Sequence, residues 1–128
     1  MASGAPPQHR RTSMNKNTNF RVKFGLPEEE HVIADFSCAI QKEVLLHGRL
    51  YVSAQYMCFY SKIFGHTTME VMPFARTVAI EKRNTSLFIP NAIEITYRQG
   101  DGAPARRFFT SFKDRDEAIT SLRKLWDE

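Results

Sequence analysis

Residues 43–64, EVLLHGRLYVSAQYMCFYSKIF, limit what this chain can become more than any other stretch. Leu46, Gly48, Leu50 and Val52 alternate with His47, Arg49 and Tyr51. That period of two is the pattern of a half-buried strand over residues 44–52. Ser53, Ala54 and Gln55 form a short polar break, and residues 56–64 then have the aromatic-rich composition of a second strand. A hairpin this apolar needs further strands to cover it.

The rest of the chain supplies them. Residues 32–41 place Val32, Ala34, Phe36, Cys38 and Ile40 on one face. Strands are expected at 67–72, at 77–82 with Val78 and Ile80 inward, at 92–98 with Ile93, Ile95 and Tyr97 together, and at 106–112. Turn signals separate them at Gly65-His66, Pro73, Arg83-Asn84-Thr85, Pro90-Asn91 and residues 99–104. Over residues 114–128 the period changes, and Ala118, Ile119, Leu122, Leu125 and Trp126 make one helical face. Asp114 with Glu117 three residues later resembles a capping box. The expected fold is therefore mainly β with one C-terminal α-helix. Seven antiparallel strands form a curved sandwich or barrel, and Leu122 and Trp126 plug one end. Phe20, Phe24 and Leu26 are expected in a short helical turn that plugs an open end of the core.

A chain of 128 residues has room for one domain. No run approaches the ~20 apolar residues of a membrane span, and no secretory leader is apparent, so the chain as given is expected to be soluble. The formal charge of +4 is uneven. Residues 1–25 hold Arg10, Arg11, Lys16, Arg21 and Lys23 and no acid, whereas the remainder is almost neutral. Residues 1–17 read as a disordered basic tail and residues 18–128 as the folded domain. A nearly neutral domain does not look like a general nucleic-acid binder. Cys38 and Cys58 read as reduced core thiols. Two cysteines and four scattered histidines give no zinc spacing, and no cofactor is expected.

The stretches FSCAIQKEVLLHGRLYVS, MCFYSKIFG, IPNAIEI and FFTSFKDRD, in that order, resemble a GRAM domain. The resemblance is to proteins that join endoplasmic reticulum and plasma membrane: the Aster-like sterol carriers and relatives lacking the carrier domain. It implies a pleckstrin-homology-like fold and binding to anionic lipid, phosphatidylserine or a phosphoinositide, on the cytosolic leaflet, sometimes with sterol. It also implies contact-site tethering when a longer protein carries a membrane anchor. Sterol-responsive relatives carry a small residue where Lys113 stands, a departure that argues against sterol sensing here.

Lipid recognition needs cations at one rim and something apolar that can enter the interface. The first candidate is Lys113 with Arg115, beside the start of the last helix. The second is Lys62 and His66, which flank Ile63 and Phe64; the simpler expectation for those two apolar side chains is the core. Lys82 and Arg83 form a third candidate contact. Catalysis is not expected, because no Gly-rich phosphate loop, HExxH or GxSxG is present. Two competing readings remain. A peptide or protein could bind at an edge strand near Pro73, and single-stranded nucleic acid could bind non-specifically through the basic tail with Phe20 and Phe24.

Overall fold

A computed structural model describes residues 8–128, with side chains from Lys16 onward. Strands β1 (Ala34–Gln41), β2 (Leu45–Val52), β3 (Tyr56–Ile63), β4 (His66–Pro73), β5 (Thr77–Thr85), β6 (Ile89–Arg98) and β7 (Pro104–Thr110) form one antiparallel sheet. Its order is β4-β3-β2-β1-β7-β6-β5. The sheet curls into a half-barrel, so that Glu70 on β4 accepts hydrogen bonds from Tyr97 on β6 (3.2 Å) and Arg107 on β7 (2.8 Å).

Alternation along the strands puts Ile40, Leu50, Phe59, Ile95 and Phe109 inside the curl, fully buried. The Phe59 and Phe109 rings meet at 5.4 Å. Helix α2 (Arg115–Asp127) closes the opening with Ala118, Ile119 and Leu122, while Trp126 packs half-buried at its margin. The cap is as expected: the Asp114 carboxylate accepts from the Glu117 N–H at 3.0 Å. Gly48 is required by packing. A Cβ there would lie 2.2 Å from the Tyr60 carbonyl oxygen, where β2 and β3 approach each other.

Several boundaries differ from expectation. β1 begins at Ala34, two residues later than read. β5 runs on through Arg83-Asn84-Thr85, and the turn falls at residues 86–88 instead. Pro90 and Asn91 lie inside β6, where the β5–β6 register shifts between Arg83 and Thr85; a residue without an N–H is tolerated at such an irregularity. The same sheet shows a shift between Thr77 and Ala79, and Val78 points outward, exposed.

Helix α1 (Gln8–Phe24) is far longer than one turn. Residues 1–7 of the expected tail lie outside the described residues, and from Gln8 the backbone is helical. Phe20 and Phe24 do not plug the barrel. They pack on the outer face of the sheet with Tyr51, Cys58 and Tyr60, as a second apolar cluster. Cys38 faces the main core and Cys58 lies under α1, both as free thiols. Burial pushes both up to about 12, so each stays protonated at neutral pH.

Candidate functional site

The six cations and histidines singled out in the sequence fall into two groups. The β1–β2 connection, closed by Gln41 opposite Leu45, and the β3–β4 connection, closed by Ile63 opposite His66, lie side by side at one end of the strands. Lys62 and His66 are there. Lys82, Arg83, Lys113 and Arg115 gather instead where α2 starts. Lys113 lines a cleft with Asp35, Phe36 and Ser37, at the beginning of β1. About 20 Å of strand separates the two ends of β1.

At the first end the chain reverses through Phe64 and Gly65 alone, with φ of 51° and 80°. Positive φ at both central residues marks a type I′ turn, which favours Asn, Asp or Gly. Phe64 is 97 % exposed, so the expectation that it belongs to the core is wrong. Register explains this: Ile63 pairs with His66 and ends the ladder, which leaves Phe64 beyond the sheet. Val44 and Leu45 are exposed on the neighbouring turn. Together these side chains border an apolar cleft of about 350 Å³ that also includes Ile63 and His66. Lys62 and His66 have no acidic partner among the described residues. Lys23, from the end of α1, sits 3.8 Å over the Tyr60 ring, three residues before Ile63. Lys42 is spoken for, at 3.4 Å from Glu70.

The second end is electrically balanced. Arg115 has a side chain only 10 % exposed. It donates to the Arg83 and Ala92 carbonyls (2.7 and 3.2 Å) and to Asp116 (2.8 Å), so it braces α2 against the β5–β6 hairpin. Lys82 lies 3.3 Å from Asp116, and Arg83 reaches both Glu81 and Glu94. Hydrogen bonds from Arg115, then from Lys82, hold the Asp116 carboxyl below its ordinary range. Lys113 alone is exposed without an ion-pair partner among the described residues. At the same end of the strands, Leu87 and Phe88 on the β5–β6 turn are 79 % and 85 % exposed. In the sequence the tip is marked only by apolar Leu87, Phe88 and Ile89 lying between the turn signals at Arg83-Asn84-Thr85 and Pro90-Asn91.

Comparison with known proteins places the architecture. The GRAM domain family model matches residues 18–128. The chain belongs to the GRAM domain family. It is 40% identical over 116 residues to human Protein Aster-A, a match covering 90% of this chain and 15% of that protein. It is 37% identical over 115 residues to Protein VASCULAR ASSOCIATED DEATH 1, chloroplastic, of Arabidopsis thaliana, covering 90% and 18%. A third relative, the uncharacterized membrane protein C20F10.07 of Schizosaccharomyces pombe, is 40% identical over 112 residues, covering 87% and 14%. The chain thus spans less than a fifth of each of these proteins.

Solved structures agree on the fold. The C-terminal domain of an unknown protein from Leishmania infantum superposes with a TM-score of 0.69 at 22% identity, covering 91% of this chain and 99% of that one. The hSac2 domain from the human phosphoinositide phosphatase Sac2 gives 0.63 at 12%, covering 94% and 82%. The GRAM domain here is thus a seven-stranded, helix-capped, pleckstrin-homology-like half-barrel. Among its described residues no helix is long and apolar enough to cross a membrane.

Proposed function

We propose that this GRAM domain is a non-catalytic module that docks on anionic lipid, phosphatidylserine or a phosphoinositide, at the cytosolic leaflet, with the β3–β4 turn as its point of insertion. The observation that carries this reading is Phe64. An aromatic side chain in full solvent, on a backbone conformation that favours Asn or Gly, gives the fold nothing. A bilayer interface gives it somewhere to go, together with Val44 and Leu45. Lys62 and His66 flank the turn with no acidic partner among the described residues, as attraction to an anionic surface requires, and Lys23 lies farther back along β3, over Tyr60. Lys113, at the far end, is not needed for this contact. By likeness to the Aster proteins, the setting we infer for a longer protein carrying this domain is a contact between endoplasmic reticulum and plasma membrane.

Co-sedimentation with vesicles of phosphatidylcholine alone, or with added phosphatidylserine or phosphoinositide, tests the reading. Wild-type protein should pellet with the anionic vesicles. Phe64→Asp should weaken that binding about tenfold or more, since a buried Phe contributes roughly 1.5–3 kcal/mol. Equal, negligible binding to all three vesicle types would refute lipid docking. Binding that ignores Phe64→Asp would move the contact elsewhere, to Lys113 first. One feature favours a second reading: β4 is an edge strand, open to an added peptide. A peptide partner retained at high salt, with no vesicle binding, would select it.

A further inference from the structure

The β5–β6 turn is the other large apolar projection of the molecule. Thr85 pairs with Ile89, so residues 86–88 form the tip, with Ser86 at a φ of 56°. Leu87, Phe88 and Ile89 are consecutive and all exposed. The tip is firmly rooted. The Thr85 hydroxyl meets Asn91 and the Thr110 hydroxyl, and the Phe112 N–H donates to the Asn91 carbonyl at 3.2 Å. Three consecutive exposed apolar side chains on a projecting tip suit a soft acceptor better than a shaped pocket.

Direction matters as much as exposure. Ile40 on β1 pairs with Phe109 on β7, which pairs with Ile93 on β6. From that level, β6 runs back four residues to Ile89, towards the start of β1. The Phe64 turn lies beyond the finish of β1. The two tips therefore leave the sheet from opposite ends of its strands. They differ in charge as well. Lys62 and His66 beside Phe64 have no acidic partner among the described residues, whereas Lys82 and Arg83 beside the second tip are matched by Asp116, Glu81 and Glu94, and Lys113 shares its cleft with Asp35, Asp114 and Glu117.

We propose that the Leu87-Phe88-Ile89 tip inserts into a second bilayer, one without net negative charge, so that a molecule docked through Phe64 on an anionic membrane captures a neutral one. The proposal rests on the docking reading above for the first membrane only; the second contact is driven by apolar burial and needs no anionic lipid. Each contact is weak alone, but many copies on one surface act together.

Two measurements test it. In the first, the protein is sedimented with phosphatidylcholine vesicles alone. Binding should be weak and insensitive to salt. It should fall about tenfold in Leu87→Asp/Phe88→Asp and less than about twofold in Phe64→Asp. In the second, beads coated with phosphatidylserine-containing bilayer are loaded with protein and offered fluorescent phosphatidylcholine vesicles. Wild-type protein should capture them. Leu87→Asp/Phe88→Asp should load the beads normally, which shows that it is folded, yet capture about tenfold fewer. Absent neutral binding in the wild type, or equal binding and capture by the double variant, would overturn the proposal. So would a wild-type dimer in sedimentation velocity that the double variant dissolves, since the tip would then join two copies of this chain. Failure of the beads to load would count against the Phe64 docking reading alone, because the first measurement stands without it.

Discussion

Phe64 and Gly65 occupy the two positions of a turn that requires positive φ at both. Gly65 meets the demand freely; Phe64 meets it against its own sterics, at about 1 kcal/mol. Fold and function therefore want different residues at position 64. Phe64→Asn should raise unfolding free energy by about 1 kcal/mol in urea titration, while binding to anionic vesicles drops about tenfold. A variant that lost stability would show that the side chain supports the turn. Asp35 presents a second residue under opposed pressures. Burial raises its pKa, but hydrogen bonds from Lys16 (2.9 Å) and Arg49 (2.7 Å) lower it further, leaving the folded carboxyl below its ordinary 3.8. A carboxyl held lower in the folded than in the unfolded chain stabilises at every pH above the unfolded value, and ceases to do so as pH falls through the folded one. Asp35→Asn should cost about 1 kcal/mol at neutral pH, because both partners are half-exposed. That difference should shrink below about pH 4. Urea unfolding at neutral and acid pH measures both; an unchanging gap would mean that Asp35 acts through shape and not charge.

Helix α1 shows what an element can owe to its surroundings. From Lys16 onward, Phe20 and Phe24 make its apolar contact with the sheet, Val22 faces solvent, and the rest of the helix is polar or basic. Its polar tie points are few: Lys16 to Asp35, Asn17 to the Val32 N–H, Arg21 to the Glu30 carbonyl and His31, and Lys23 over the Tyr60 ring. So thin a stripe has no clear 3.6-residue period, which is why sequence reading found one turn near Phe20 and no more. The strands and α2 were legible because their two faces differ in polarity and Asp114 signals the start. The β5–β6 turn was not, since it carries Leu87 and Phe88 where Gly or Asn is usual. The candidate site was half legible. Residue type pointed to Lys62 and His66 and Gly65 marked a turn, but the expected strand ran on through Phe64, and nothing local said that Arg115 would turn inward to main-chain carbonyls. Because α1 is held by so few contacts, it should be the first element to open. Its two phenylalanines cover Cys58, while Cys38 lies in the main core. Phe20→Ala/Phe24→Ala should make Cys58 react with a maleimide within minutes, leave Cys38 protected, and preserve the β-rich circular dichroism spectrum. Equal labelling of both thiols would mean that α1 and the barrel fold as one unit.

At the scale of the whole molecule, the net charge of +4 says less than its placement. The half-barrel pairs several of its charges within itself: Lys42 and Arg107 converge on Glu70, Arg49 lies on Asp35, and Arg83 reaches Glu81 and Glu94. Near the Phe64 turn, Lys62 and His66 have no ion-pair partner among the described residues; Lys23 lies farther back over Tyr60, and Glu43, on the neighbouring connection, is exposed. Two lysines near an anionic surface contribute ~1 kcal/mol each, comparable to the contribution of Phe64 itself, so docking should need both kinds of group. Salt separates them, because screening acts on the lysines and leaves apolar burial intact. Raising ionic strength from roughly 0.05 to 0.5 M should weaken wild-type binding to phosphatidylserine vesicles about thirtyfold. Lys62→Glu should bind weakly at low salt and lose little more as salt rises. Phe64→Asn should keep most of the wild-type salt dependence from a lower starting affinity. If Lys62→Glu kept the full salt dependence, the attraction would have to come from cations elsewhere, with Lys113 and the basic residues before Lys16 next in line.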